Sequence, residues 1–293
     1  MCLIHISKCF PHRFALAWLV TIMPCALNFA ANLSWLFPEV DTLLLRVEAA
    51  AHAGFQAVEV AWPYNTEATE LKAALEKNGL EMVLINTPPG NKERGELGLG
   101  ADPQRQAEFR RGLGLAVQYA KTVNCKRIHL MAGRIPMGLD RSADSSKMEA
   151  TFIENLKYAT DILSMEGMVG LIEPINTRIT DPNYFLSTPQ HAVEILRQVD
   201  RPNLKLQLDV FHWQIMDGNL TQNITNYFPH IGHIQVAQVP SRNEPDSPGE
   251  INYQYIFNLL EKLGYKDYIG CEYTPKGNTV HGLGWLKTQW RVN

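Results

Sequence analysis

The feature that most constrains this chain is a repeated unit. A short apolar run stops on an oxygen-bearing side chain and is followed by a stretch of helical length. Met168-Val169-Gly170-Leu171-Ile172 stops at Glu173, and Pro174 forbids a regular continuation. Leu204-Lys205-Leu206-Gln207-Leu208 stops at Asp209, Ile231-Gly232-His233-Ile234 at Gln235, and Tyr268-Ile269-Gly270-Cys271 at Glu272. A carboxylate where a buried strand surfaces is costly unless it is paired or bound to a cation. Four such ends point to convergence on one site.

The unit extends back to Leu27. The pattern predicts strands at 27–31, 55–61, 80–86, 127–131, 168–172, 204–209, 231–236 and 268–272. It predicts helices near 41–53, 67–78, 103–123, 145–165, 188–199, 253–263 and 281–290. Gly54 and Gly79 stop the first two helices, and Ser187-Thr188-Pro189 opens the fifth with a capping hydroxyl and a first-turn proline. Eight such units in 293 residues, 45% of them hydrophobic, predict one α/β domain, a (β/α)8 TIM barrel over 27–293. A doubly wound sheet would carry a glycine-rich turn after its first strand. Asn32-Leu33-Ser34-Trp35-Leu36 is no phosphate cradle, so no nucleotide cofactor is expected. No repeat of 20–50 residues is visible, which argues against a solenoid.

Residues 1–26 fall outside the repeat and form an apolar N-terminal extension. The run 14–27 follows Lys8, His12 and Arg13, as in a signal peptide. Pro24 interrupts it, and no clean small-x-small cleavage pattern follows. The sequon Asn32-Leu33-Ser34 would place a glycan at a strand end that belongs to the site. A cytoplasmic location is therefore expected, with secretory or organellar targeting as the alternative. Five cysteines without a C-x-x-C pair read as reduced. A net charge of −3 without basic blocks speaks against nucleic acid as a partner. No stable membrane partner is expected, and a homo-oligomer remains open.

In a barrel of this kind chemistry sits at the C-terminal ends of the strands. Those ends read Asn32, Glu59, Asn86, His129, Glu173, Asp209, Gln235 and Glu272. Glu173, Asp209, Gln235 and Glu272 form an oxygen-rich set suited to Mg²⁺ or Mn²⁺. The same carboxylates could instead pair with Arg178 or Arg242 at the rim. His212, three residues after Asp209, either binds substrate and orients Asp209 or packs beside Trp213. His129 is either a core histidine or a substrate contact. Arg134, Arg178 and Arg242 are candidates to hold an anion. The loop 87–100 is long for a barrel and could act as a lid.

Four stretches together resemble the hydroxypyruvate isomerase family of the xylose-isomerase-like barrels. They are Ile85-Asn86-Thr87-Pro88-Pro89-Gly90, Glu173-Pro174-Ile175-Asn176-Thr177-Arg178, Asp209-Val210-Phe211-His212-Trp213-Gln214 and Gly270-Cys271-Glu272-Tyr273. The resemblance runs from about residue 28 to 290. It implies that Glu173 and Glu272 are proton donor and acceptor in the interconversion of hydroxypyruvate and tartronate semialdehyde, a three-carbon hydroxy-keto acid and its aldehyde isomer. His212, Arg242, His129 and Asn86 would then contact the substrate. Related ketose 3-epimerases hold a divalent metal with Glu, Asp, His and Glu on strands five to eight. Glu173, Asp209 and Glu272 match three of these, and Gln235 stands in place of the histidine. The alternatives are a ketose 3-epimerase, an endonuclease of the superfamily, and a silent barrel that serves as an interaction module.

Overall fold

The computed structural model describes residues 27–136, 138 and 141–289. The N-terminal extension, its signal-like run and residues 290–293 lie outside the described residues. Among the described residues no helix is long and apolar enough to cross a membrane.

Eight parallel strands close into a barrel in sequence order, each hydrogen-bonded to the next and β8 to β1. They are β1 (Asn28–Asn32), β2 (Ala57–Val60), β3 (Glu81–Asn86), β4 (Arg127–His129), β5 (Val169–Ile172), β6 (Leu204–Asp209), β7 (Ile231–Val236) and β8 (Tyr268–Cys271). The outer layer holds α1 (Leu43–Ala53), α2 (Ala68–Asn78), α3 (Gln106–Thr122), α4 (Arg141–Met165) and α5 (Pro189–Val199), followed by α6 (Val210–Met216), α7 (Leu220–Tyr227) and α8 (Tyr253–Leu263). The strands are buried on both faces because helices cover the outside and side chains fill the inside. Gly54, Gly79 and Gly264 stop α1, α2 and α8 in the left-handed conformation. Thr188 caps α5 by accepting from the His191 N–H at 3.3 Å.

Three elements depart from the sequence reading. The β6–β7 connection carries α6 and α7, where no helix is expected. Asp209 closes the strand and caps α6 at once, its Oδ1 accepting from the Phe211 N–H at 2.9 Å. The buried residues Val210, Phe211 and Trp213 simply extend the strand's apolar run, so no change of period marks the boundary. The expected C-terminal helix is broken at Leu283 into α9 (Thr279–Gly282) and α10 (Gly284–Gln289). The loop 87–100 holds a short 3₁₀ turn, Lys92–Arg94, and its far end is fastened. There Gly98 N–H donates to the Pro89 carbonyl at 2.8 Å and Gly100 N–H to Met131 at 3.0 Å.

Candidate active site

The ends of β5 to β8 bring Glu173, Asp209 and Glu272 around one guanidinium. Its carrier, Arg242, lies in the loop after β7, where its N–H donates to the Gln238 carbonyl at 2.8 Å. Its φ of 53° places it in the left-handed region that side-chain-bearing residues seldom enter. The guanidinium Nη2 donates to Asp209 Oδ2 at 3.0 Å and to Glu272 Oε2 at 2.6 Å. The Trp35 and Phe211 rings lie 4.5 and 4.8 Å away, so the cation is held between aromatic faces. Burial opposes its charge, but Asp209, Glu272 and Glu173 bind its proton more firmly than usual.

Glu173 is treated differently. Its side chain is 6% exposed, and its Oε1 has no hydrogen-bond partner among the described residues. The nearest donors are His129 Nδ1, 3.5 Å from Oε2, and His212 Nε2, 3.9 Å from Oε1. Burial first, then the charges of Glu272 and Asp209, push its carboxyl well above the usual range. Burial also raises Glu272, but Arg242 pulls it back, to about 8. Burial raises Asp209 as well. Burial and Arg242 push His212 well below the usual imidazole range, and burial with His233 holds His129 down to about 3.

Beneath these groups lies a fourth carboxylate with every need met. Glu59 Oε1 accepts from Asn32 Nδ2 at 2.8 Å and from Gln235 Nε2 at 2.7 Å, and its Oε2 lies 2.6 Å from His233 Nε2. Gln235 Oε1 in turn accepts from Gln207 Nε2 at 2.6 Å. Asn32 Nδ2 also reaches Glu272 Oε1 at 3.1 Å, which ties this floor to the site above. Gly270 is required here, since a Cβ on it would stand 2.3 Å from Glu59 Oε1.

Of the eight residues the sequence points to, Glu173, Asp209, Glu272, His212, His129 and Arg242 are gathered at this end of the barrel. Gln235 is engaged in the floor, and the Asn86 side chain meets Met131 Sδ at 3.8 Å. The other two arginines are drawn elsewhere. Arg134 pairs with Asp181 at 2.6 Å, and Arg178 reaches the Met216 carbonyl at 3.3 Å. Asn32, Glu59, Gln207, His233 and Asn176 join the site without a role read from the sequence. Asn32 and Glu59 stand there as polar strand ends and Asn176 within a family-like stretch, while nothing local marks Gln207 or His233.

The fit to a divalent cation can be tested on these atoms. Glu173, Asp209 and His212 bring ligand atoms within 4.8 Å of one another. Two features oppose coordination as the side chains stand. The Gln235 oxygen is already an acceptor, and Arg242 holds both Asp209 and Glu272. The donor set therefore does not fit the metal that the sequence suggested.

The model of the xylose isomerase-like TIM barrel family matches residues 47–289, and the chain belongs to that family. It is 62% identical over 261 residues to a Xenopus laevis protein provisionally named hydroxypyruvate isomerase, covering 89% of this chain and 95% of that one. It is 47% identical to a 2-oxo-tetronate isomerase of Pectobacterium atrosepticum, covering 89% and 97%. A solved Brucella melitensis structure, described as an AP endonuclease of family 2, superposes with a TM-score of 0.85 at 43% identity, covering 92% of this chain and all of that one.

Proposed function

We propose that this chain is an isomerase that interconverts hydroxypyruvate and tartronate semialdehyde, with Glu173 and Glu272 moving the proton. The observation that carries the reading is the pair of buried carboxylates after β5 and β8, one gripped by a guanidinium and the other with an oxygen, Oε1, that has no hydrogen-bond partner among the described residues. The reaction removes a proton from C3 of the substrate, passes through an enediol and places a proton on C2. It needs a base, an acid and a stabiliser of the oxygen charge that develops.

The site's electrostatics divide these tasks. Arg242 makes Glu272 the first of the pair to ionise, which suits it to take the C3 proton. Glu173, raised well above its usual range by burial and by the charges of Glu272 and Asp209, is suited to keep its proton and deliver it to C2. The C2 oxygen carries the negative charge between the two steps. It takes up a proton as the C3 hydroxyl gives up its own, so that C3 ends as the aldehyde and C2 as the alcohol. Its stabilisers are the His212 N–H and the guanidinium, whose Nη1 lies 3.4 Å from His212 Nε2. The positive charge of Arg242 also suits it to receive the substrate carboxylate. Forward turnover leaves Glu272 protonated and Glu173 ionised, the state from which the return reaction starts, and exchange of both protons with solvent resets the pair for the next forward turnover. No step requires a metal ion. The implied partner is a small anionic keto acid, and the net charge of −3 disfavours a nucleic-acid substrate.

A second reading is favoured by the 47% identical relative, whose named substrate is a 2-oxo-tetronate. The same acid–base pair would serve that substrate. Purified protein should consume hydroxypyruvate, and kcat/KM measured side by side on hydroxypyruvate, 2-oxo-tetronate and a free ketohexose separates the readings. Turnover of the ketohexose alone would overturn both keto-acid readings.

A further inference from the structure

Asn176 lies three residues beyond Glu173, fully buried, in a segment where neither the acid–base pair nor the cation clamp needs an amide. Its Oδ1 accepts from two backbone donors, Ile179 N–H at 3.0 Å and Thr180 N–H at 3.1 Å. These two bonds fix which end of the amide is oxygen, because turning it over would set an NH₂ group against two N–H groups. Nδ2 therefore faces the other way. It donates to Thr180 Oγ1 at 2.8 Å and meets His212 Nδ1 at 2.7 Å. An NH₂ group at that distance can only donate, so Nδ1 bears the lone pair and the hydrogen of the neutral ring sits on Nε2. The contact of Nε2 with Arg242 Nη1, at 3.4 Å, would prefer the opposite arrangement. It is long and yields to the 2.7 Å bond, whose donor is held by the backbone. Nε2–H then points towards Asp209 Oδ2 at 3.4 Å and Glu173 Oε1 at 3.9 Å.

We propose that Asn176 is a positioning residue that fixes His212 as an Nε2–H donor, and that this choice both shapes the isomerase site and closes the Glu173–Asp209–His212 group to divalent cations. A metal-bound imidazole needs a lone pair towards the ion, and its other nitrogen donates to a carboxylate or carbonyl. Asn176 offers the reverse, a donor. The inference rests on the isomerase reading for the use of the N–H, but not for the choice of tautomer.

The matching change is Asn176→Asp. A carboxylate keeps an acceptor for the two backbone N–H groups and accepts from His212 Nδ1–H with its other oxygen. The lone pair on Nε2 would then face Glu173 and Asp209. Long-range ¹H–¹⁵N spectra of the imidazole should show a lone-pair-bearing Nδ1 in the wild type and a lone-pair-bearing Nε2 in Asn176→Asp. Zn²⁺ or Mn²⁺ titrated by calorimetry should bind the variant on the order of 10–100-fold more tightly than the wild type. The kcat on hydroxypyruvate should fall in the variant, with a smaller change in KM. Neither the spectra nor the metal titration depends on turnover, so failure of the isomerase reading would leave them intact. The inference is overturned if His212 of the wild type carries its hydrogen on Nδ1, a measurement that needs no variant to fold. It is also overturned if wild type and variant bind metal equally.

Discussion

Two glutamates at strand ends of the same barrel, Glu59 after the middle of β2 and Glu173 after β5, are both buried, yet they live in opposite conditions. Glu59 is met by Asn32, Gln235 and His233, all within 2.8 Å. Glu173 has an oxygen with no hydrogen-bond partner among the described residues, and its nearest imidazoles stand off at 3.5 and 3.9 Å. A satisfied buried carboxylate holds a structure together. A deprived one costs stability and is left with a proton to give. The difference assigns structure to the lower layer of the barrel mouth and chemistry to the upper one.

The largest expected effects break the upper layer. Glu173→Gln and Glu272→Gln should each lower kcat by at least ~10²-fold, about 2.7 kcal/mol of barrier. Their thermal midpoints should hold or rise, since an amide needs no proton to be neutral. Glu59→Ala should do the reverse. It strands three buried polar side chains, and removing one partner of a buried pair costs about 3–5 kcal/mol, roughly 6–12 °C in Tm. A Glu59→Ala protein with wild-type Tm would erase the distinction between the layers.

The pH dependence sharpens the comparison. With Glu272 raised to about 8 and Glu173 well above its usual range, kcat/KM should climb as pH rises through about 8 and fall when Glu173 loses its proton. Stability should run the other way. An unfolded glutamate releases its proton near pH 4.5, while the folded Glu272 keeps it to about 8. Between these values the folded chain holds the extra proton, so stability declines with rising pH. Glu272→Gln should flatten that decline in melts taken from pH 5 to 8. The smallest expected effect is that of a chelator: the hydroxypyruvate rate should stay within about twofold after EDTA treatment, because Arg242 supplies the positive charge a metal would otherwise bring. A rate restored only by added Mg²⁺ or Mn²⁺ would return the site to the metal reading.

Much of the barrel was legible because its period is plain. Apolar runs of four to six residues, glycine stops and the Thr188-Pro189 start are local signals, and each matches an element. The pair α6 and α7 was not, because Asp209 ends a strand and caps a helix within one apolar run. In the site, the oxygen-bearing strand ends were visible, but their partners were not. Nothing local says that Glu59 is satisfied and Glu173 is not, since Asn32 and His233 reach Glu59 from strands far away in sequence. Arg242 could not be told from Arg134 or Arg178 by spacing. The difference is a left-handed turn that carries its guanidinium inward, while Asp181 draws Arg134 away. Gln235 reads as a ligand in sequence because it stands at a strand end, and only the contact with Gln207 shows its oxygen engaged.

The fate of deuterium at C3 of hydroxypyruvate, followed by NMR in ordinary water, tests the division of labour most directly. In the wild type, Glu272 takes the deuteron from C3 and Glu173 supplies a proton, so the product should carry protium at C2. Glu173→Gln should still wash deuterium out of the recovered substrate while forming little product, because its base remains. Glu272→Gln should do neither. Deuterium found at C2 of the wild-type product would mean that one group carries the same nucleus between the two carbons, and the two-carboxylate account would be wrong.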